Sequence, residues 1–115
     1  MPAKIGYGRK IVYKDKNVEV VLITWPKNSR SIGHDHGRSV GLIRVLSGQV
    51  YQDIYNKKTK KFIRRLSYKA GDSIVETPAL LHVMGNSSQK RTARALHIYT
   101  PPVKMKYYED KVLKK

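Results

Sequence analysis

Short runs of apolar residues alternating with polar ones constrain this chain most. A period of two puts successive side chains on opposite faces of an extended strand. VEVVLITW over 18–25 has that form. So do GLIRVLSG over 41–48, QVYQDIY over 49–55, KKFIRRLSY over 60–68, DSIVE over 72–76, LHVM over 81–84 and ARALHIY over 93–99. The polar NKKT segment, Asn56 to Thr59, predicts a hairpin between the third and fourth runs. Pro101 and Pro102 close the last one, because proline cannot donate to a ladder. No helical stretch of convincing length appears, the basic C-terminal tail being the one candidate. Short strands at roughly ten-residue spacing indicate an all-β sandwich or barrel. At 115 residues the chain is one domain with one modest core.

Charge is the second constraint. Lys plus Arg is 24 against 8 Asp plus Glu, a net charge of +16. Such a surplus asks for an anionic partner, whether nucleic acid, an acidic membrane face or a small anionic substrate, without choosing among them. Six of the cations fall between Lys57 and Arg65, within the predicted hairpin. The first reading of that cluster is a solvated edge that discourages strand pairing. Nucleic-acid contact is the second, and it lacks the interleaved aromatics of a single-strand binder. Cysteine is absent, which excludes disulfides, thiolate zinc sites and cysteine nucleophiles. MPAKIGYGRK carries no apolar signal core, and no run approaches the 18 or so apolar residues of a membrane span. The expectation is a soluble cytoplasmic protein, monomeric or homodimeric, with no membrane contact.

Four histidines carry the chemistry: His34, His36, His82 and His97. His34 and His36 stand two apart, so on a strand both imidazoles face the same side. If that side lines a barrel interior, two neutral imidazoles converge as metal ligation requires. Taken alone, H-x-H fits two structural histidines as well.

The surroundings extend the pattern. NSRSIGHDHGRSVGLIRVLSG, 28–48, resembles the first motif of the cupin superfamily, with Gly48 twelve residues after His36. GDSIVETPALLHVMGN, 71–86, resembles the second, with Gly71, His82 and Asn86 at the family spacing. Pro78 falls one place late, and Ala79 stands where the family has a glycine. The resemblance implies a small jelly-roll barrel, a double-stranded β-helix, over about 7–103, with 104–115 as a basic C-terminal tail. The tail's Tyr107, Tyr108, Val112 and Leu113 could pack on the barrel or leave it. The glutamate of the typical first motif is missing: its positions hold Val40 and Gly41. Apart from Asp35, which alternation turns away, no carboxylate is expected near the motif histidines. That leaves three neutral ligands.

With ALHIYTPP over 95–102, the chain is similar to thiol dioxygenases of the cysteine dioxygenase type. The resemblance implies Fe(II) held by His34, His36 and His82, with His97 and Tyr99 beside it. A small thiol such as cysteine would react with dioxygen to give the sulfinic acid. The family's Ser-x-His-x-Tyr becomes Ala95, His97 and Tyr99, which removes a hydrogen bond that orients the histidine. Aligned through Trp25, the family's carboxylate-binding arginine falls on Arg9. The tyrosine-linked cysteine of animal members corresponds to Gly41, so no cross-link forms. Three histidines can also hold zinc, nickel or manganese. A metal-binding cupin of other small-molecule activity, and a non-enzymatic basic cupin binding nucleic acid, are the alternatives.

Overall fold

A computed structural model describes residues 2–78 and 80–115. Ala79, the residue in the motif's glycine position, lies outside them. Twelve strands follow in chain order. They are β1 (Lys4–Ile5), β2 (Gly8–Lys14), β3 (Glu19–Trp25), β4 (Ser29–Arg30), β5 (Gly33–Asp35), β6 (Val40–Ser47), β7 (Gln49–Tyr55), β8 (Phe62–Lys69), β9 (Ser73–Glu76), β10 (Leu81–Asn86), β11 (Ala93–Thr100) and β12 (Lys106–Tyr108). One 3₁₀ turn, Asp110–Val112, follows the last strand. No helix among the described residues is long and apolar enough to cross a membrane.

The strands form two sheets. β2, β3, β11, β6 and β9 lie side by side in the five-stranded one. In the seven-stranded one β10 is central, with β4 and β5 along one edge and β7, then β8, along the other. β6 leaves the first sheet and β7 enters the second through Gly48 alone. Its φ of +72° suits glycine, and a Cβ there would meet Ala93 Cβ at 2.9 Å. All seven alternating runs become strands. Missing from the alternation pattern are the two- and three-residue strands β1, β4, β5 and β12, too short to show a period, and the seven-residue β2. β2 needs a separate reason. It is an edge strand exposed along its whole length, so no buried face imposes a period on GRKIVYK.

Alternation decides what fills the barrel. β3 buries Glu19, Val21, Ile23 and Trp25 and leaves the residues between them half-exposed. β11 turns Ala93, Ala95, His97 and Tyr99 inward. The apolar part of the interior unites Val21, Ile23, Trp25, Ile43, Val45, Ala93 and Ala95 with Val50 and Met84 from the opposite sheet. Each large side chain so buried contributes about 1.5–3 kcal/mol.

The C-terminal segment packs rather than dangles. β12 pairs with β5, and Tyr108 and Leu113 join Tyr55, Leu81 and Val83 in a second cluster on the outside of the seven-stranded sheet. β10 is therefore buried on both faces, which is why LHVMGN shows so little alternation.

The basic hairpin is β7–β8, closed by Asn56, whose side chain caps the Lys58 and Thr59 amides. Several of its cations have structural partners. Lys57 lies 3.3 Å from Asp35, Arg65 binds Asp53 at 2.6 Å and stacks on Tyr51, and Lys60 sits over Tyr108.

Candidate metal centre

Two neighbouring strands of the seven-stranded sheet bring the motif histidines together. His34 on β5 is the direct antiparallel partner of His82 on β10, so both side chains rise from the same face at the same height. His36 follows one residue beyond β5. Asp35 between them turns to the other face, where it accepts the Tyr108 hydroxyl and the Gly37 amide. One nitrogen from each of the three imidazoles lies within 4.8 Å of the others, and all three side chains are buried.

Hydrogen bonds fix two of the tautomers. The Ile32 carbonyl can only accept, so His34 Nδ1, 2.9 Å away, carries the proton. His82 Nδ1 donates to Gln52 Oε1 at 2.8 Å, and Gln52 is held the right way round by donating its Nε2 to Tyr68 at 2.7 Å. The Nε2 atoms of His34 and His82 are then bare, and they face each other at 3.1 Å. Two opposed lone pairs at that distance repel unless a cation lies between them. Burial pushes all three imidazoles below their ordinary pKa, His36 to about 3, so a proton is a poor candidate for that cation. His36 Nδ1 is buried without a hydrogen-bond partner. Convergent bare nitrogens, fixed from behind, fit a divalent metal ion. Neutral nitrogen donors suit iron, zinc, nickel or manganese alike.

The five-stranded sheet faces this cluster with different chemistry. His97 Nδ1 and the Tyr99 hydroxyl are 2.8 Å apart, and the Tyr99 ring centre lies 5.1 Å from that of His36. Desolvation holds His97 down to about 3 and pushes Tyr99 well up, so the pair is a neutral imidazole and a neutral phenol. Ala95 stands two residues upstream on the same inner face with no hydroxyl to offer, and His97 Nε2 is buried with no partner. Gly41 lies against Tyr99: a Cβ there would be 3.2 Å from its Cε1.

Arg9 on β2 is paired across the ladder with inward-facing Ile23, so it too points inward. Its Nη2 donates to Glu19 Oε2 at 3.0 Å, and the other Glu19 oxygen takes the Val103 amide at 3.2 Å. Among the described residues Arg9 makes no other side-chain bond. Its charge reaches the tyrosine pair, further lowering His97.

One expectation is overturned. A carboxylate other than Asp35 does lie beside the ligands: Glu76, on β9, is fully buried with Oε1 3.3 Å from His82 Nδ1. That N–H points at Gln52, so neither Glu76 oxygen has an aligned hydrogen bond, and burial pushes the acid up to about 7. Six residues of chain hid the contact, yet a signal was present. In DSIVE, Ile74 and Glu76 share the inward face, and a carboxylate at a core position of a strand is costly enough to need a reason. Gln52, also inward on its strand, carried no such signal.

A family model described as cysteine dioxygenase type I matches residues 4–111. Among solved structures, the chain is similar to an uncharacterized conserved protein with a double-stranded β-helix domain from Klebsiella pneumoniae. The TM-score is 0.76 at 19% identity, over 90% of this chain and 85% of that one. An RmlC-like cupin family protein from Methanocaldococcus jannaschii aligns with a TM-score of 0.70 at 11% identity, over 84% and 81%. A cupin domain from Bordetella pertussis does so at 0.70 and 13%, over 86% and 97%. At such identities these likenesses establish the cupin fold and nothing finer.

Proposed function

Because the chain belongs to the cysteine dioxygenase type I family, we propose that it is an iron-dependent thiol dioxygenase, oxidising a small thiol such as cysteine to its sulfinic acid. The observation that carries this reading is the opposition of the two sheets. Three neutral imidazoles converge from one, and a His97–Tyr99 pair faces them from the other. His34, His36 and His82 would hold Fe(II), and the chemistry such an ion supplies is activation of dioxygen and delivery of both its atoms to sulfur.

The protein supplies position and charge. Three neutral ligands leave the dication's charge uncancelled by the directly bound atoms, which favours a thiolate over the thiol and draws an anionic substrate in. In the tautomer with its proton on Nδ1, His97 donates to the Tyr99 oxygen and leaves the phenol O–H free to donate toward the reacting oxygen or sulfur. The raised pKa of Tyr99 keeps that proton in place at neutral pH. Arg9 spends one amine on Glu19 and retains Nη1 and Nε for a substrate carboxylate, at about 1.5–3 kcal/mol for each charge-assisted bond.

Oxygen uptake by iron-loaded protein with L-cysteine and with 3-mercaptopropionate tests the reading. We expect consumption of one dioxygen per sulfinate formed. Stoichiometric iron without thiol-dependent uptake for any small thiol would overturn it.

A further inference from the structure

We propose that Glu76 is the carboxylate of this metal centre, acting on the ion through His82 rather than by direct ligation. The typical cupin motif carries its acid on the strand that is β6 here, where this chain has Val40 and Gly41. In the five-stranded sheet, Gly41 is the direct cross-strand partner of Glu76. A Cβ at Gly41 would stand 3.3 Å from Glu76 Cβ, so a side chain at 41 and a glutamate at 76 compete for one space. The glycine leaves that space to its neighbour, and the acid enters the barrel from β9.

The position also indicates the role. Glu76 Oε1 is 3.3 Å from His82 Nδ1, on the side of the ring away from the Nε2 that faces His34. It is not among the groups whose atoms converge within 4.8 Å. A buried carboxyl with two unpartnered oxygens is a cost to the fold. That cost has a return once a cation sits at Nε2, because His82 is then polarised and its Nδ1–H edge becomes strongly positive. Gln52 fixes the ring's orientation, and Glu76 supplies charge behind it. Glu76 is thus a positioning residue that raises the donor strength of His82 and offsets part of the ion's charge. The inference takes from the proposed function only that the three histidines hold a metal; it does not need thiol oxidation.

Co(II) titration of metal-free full-length protein, followed by its visible bands, tests it. Glu76→Gln keeps the shape and removes the charge, and we expect the dissociation constant to rise about 10- to 100-fold. Glu76→Asp keeps the charge on a shorter arm and falls between wild type and Glu76→Gln. The band pattern at saturation stays that of wild type, and the metal-free Glu76→Gln protein melts no lower than wild type. Equal affinity in all three proteins overturns the proposal. So does a loss of affinity matched by a loss of metal-free stability, which is a structural role. A saturated spectrum of lower coordination number in Glu76→Gln makes Glu76 a direct ligand and overturns the outer position. If wild type binds no Co(II), the metal centre itself fails, and this proposal with it. Should wild type bind and Glu76 have no effect, only this proposal fails.

Discussion

The two sheets meet over one site and bring opposite kinds of group to it. The seven-stranded sheet contributes imidazoles alone to the centre, with the tautomers of His34 and His82 set by a carbonyl and an amide. The five-stranded sheet contributes Arg9, Glu19, Glu76, His97 and Tyr99 from its inner face. One side offers three neutral nitrogens with no formal charge among them, and the other offers charged and hydrogen-bonding groups around them. Glu76 is the exception, reaching from the five-stranded sheet to His82; otherwise the division separates binding from reactivity, so substitutions at the convergent histidines and at Tyr99 should fail differently.

His82→Ala is expected to do the most. It removes a ligand and the partner of His34, and metal retention, read by elemental analysis after desalting, should fall to background. Unchanged metal content would refute the assignment of His82 and with it the division. Tyr99→Phe is the matched change on the other sheet. Metal content should stay at the wild-type level while thiol-dependent oxygen uptake falls about 10²-fold, the usual cost of one preorganised donor. Parallel loss of metal would show that the two sheets do not separate these tasks.

A smaller, selective effect is expected at Arg9. Arg9→Ala should raise KM about tenfold for cysteine or 3-mercaptopropionate, one charge-assisted bond's worth, and leave a thiol without a carboxylate, such as cysteamine, unaffected. Equal effects on both thiols would reduce Arg9 to a structural partner of Glu19.

The pH dependence of metal-free stability reads both sheets at once. His36 and His97 have folded pKa values depressed to about 3 from an ordinary 6.5. The unfolded chain therefore binds more protons, and the stability from these neutral imidazoles, fully present above 6.5, is lost as pH falls toward 3. Glu76 is raised to about 7 from 4.5 and works the other way: its protonated form favours folding below 4.5, an advantage lost as pH rises through 7. The melting temperature should thus decline gently between pH 7 and 4.5, where the terms oppose, and steeply below, where Asp35, Asp53 and Asp110, held below their ordinary carboxyl range by their cationic and hydrogen-bond partners, join the histidines. A melting temperature that climbs steadily from pH 7 to 4 would contradict the neutral assignment of the buried imidazoles.

Ala95→Ser should have the smallest effect. A hydroxyl two residues from His97 on the same inner face gives its orphaned Nε2 a partner, and a buried hydrogen bond is worth about 0.5–1.5 kcal/mol net. Thermal denaturation should show a rise of a few degrees at most. A fall would mean that the interior there has no room for the oxygen.

Legibility in the sequence followed burial. Strands with one buried face, such as β3 and β11, announced themselves by alternation. β2 did not, because neither of its faces is covered, and β10 did so weakly, because both are. The three convergent histidines were legible because two of them sit two residues apart and the third sits at the motif spacing from Gly71 and Asn86. His97 and Tyr99 were legible through the resemblance of ALHIYTPP to the family's segment. Gln52 was not, since thirty residues separate it from the His82 nitrogen it fixes.

The sequence by itself thus determined seven of the twelve strands and the identity of the convergent histidines, which depend on local period and spacing, and the resemblance of its motifs implied the cupin architecture. Only the tertiary structure decided the charge of the site. Whether a carboxylate stands beside the ligands depends on which strands become neighbours, and the β6–β9 pairing that sets Glu76 against Gly41 is not written in the spacing of either segment. The fate of the C-terminal residues was decided the same way. Tyr108 and Leu113 are covered because β12 found the open edge of β5, a choice made by backbone groups that every residue type shares.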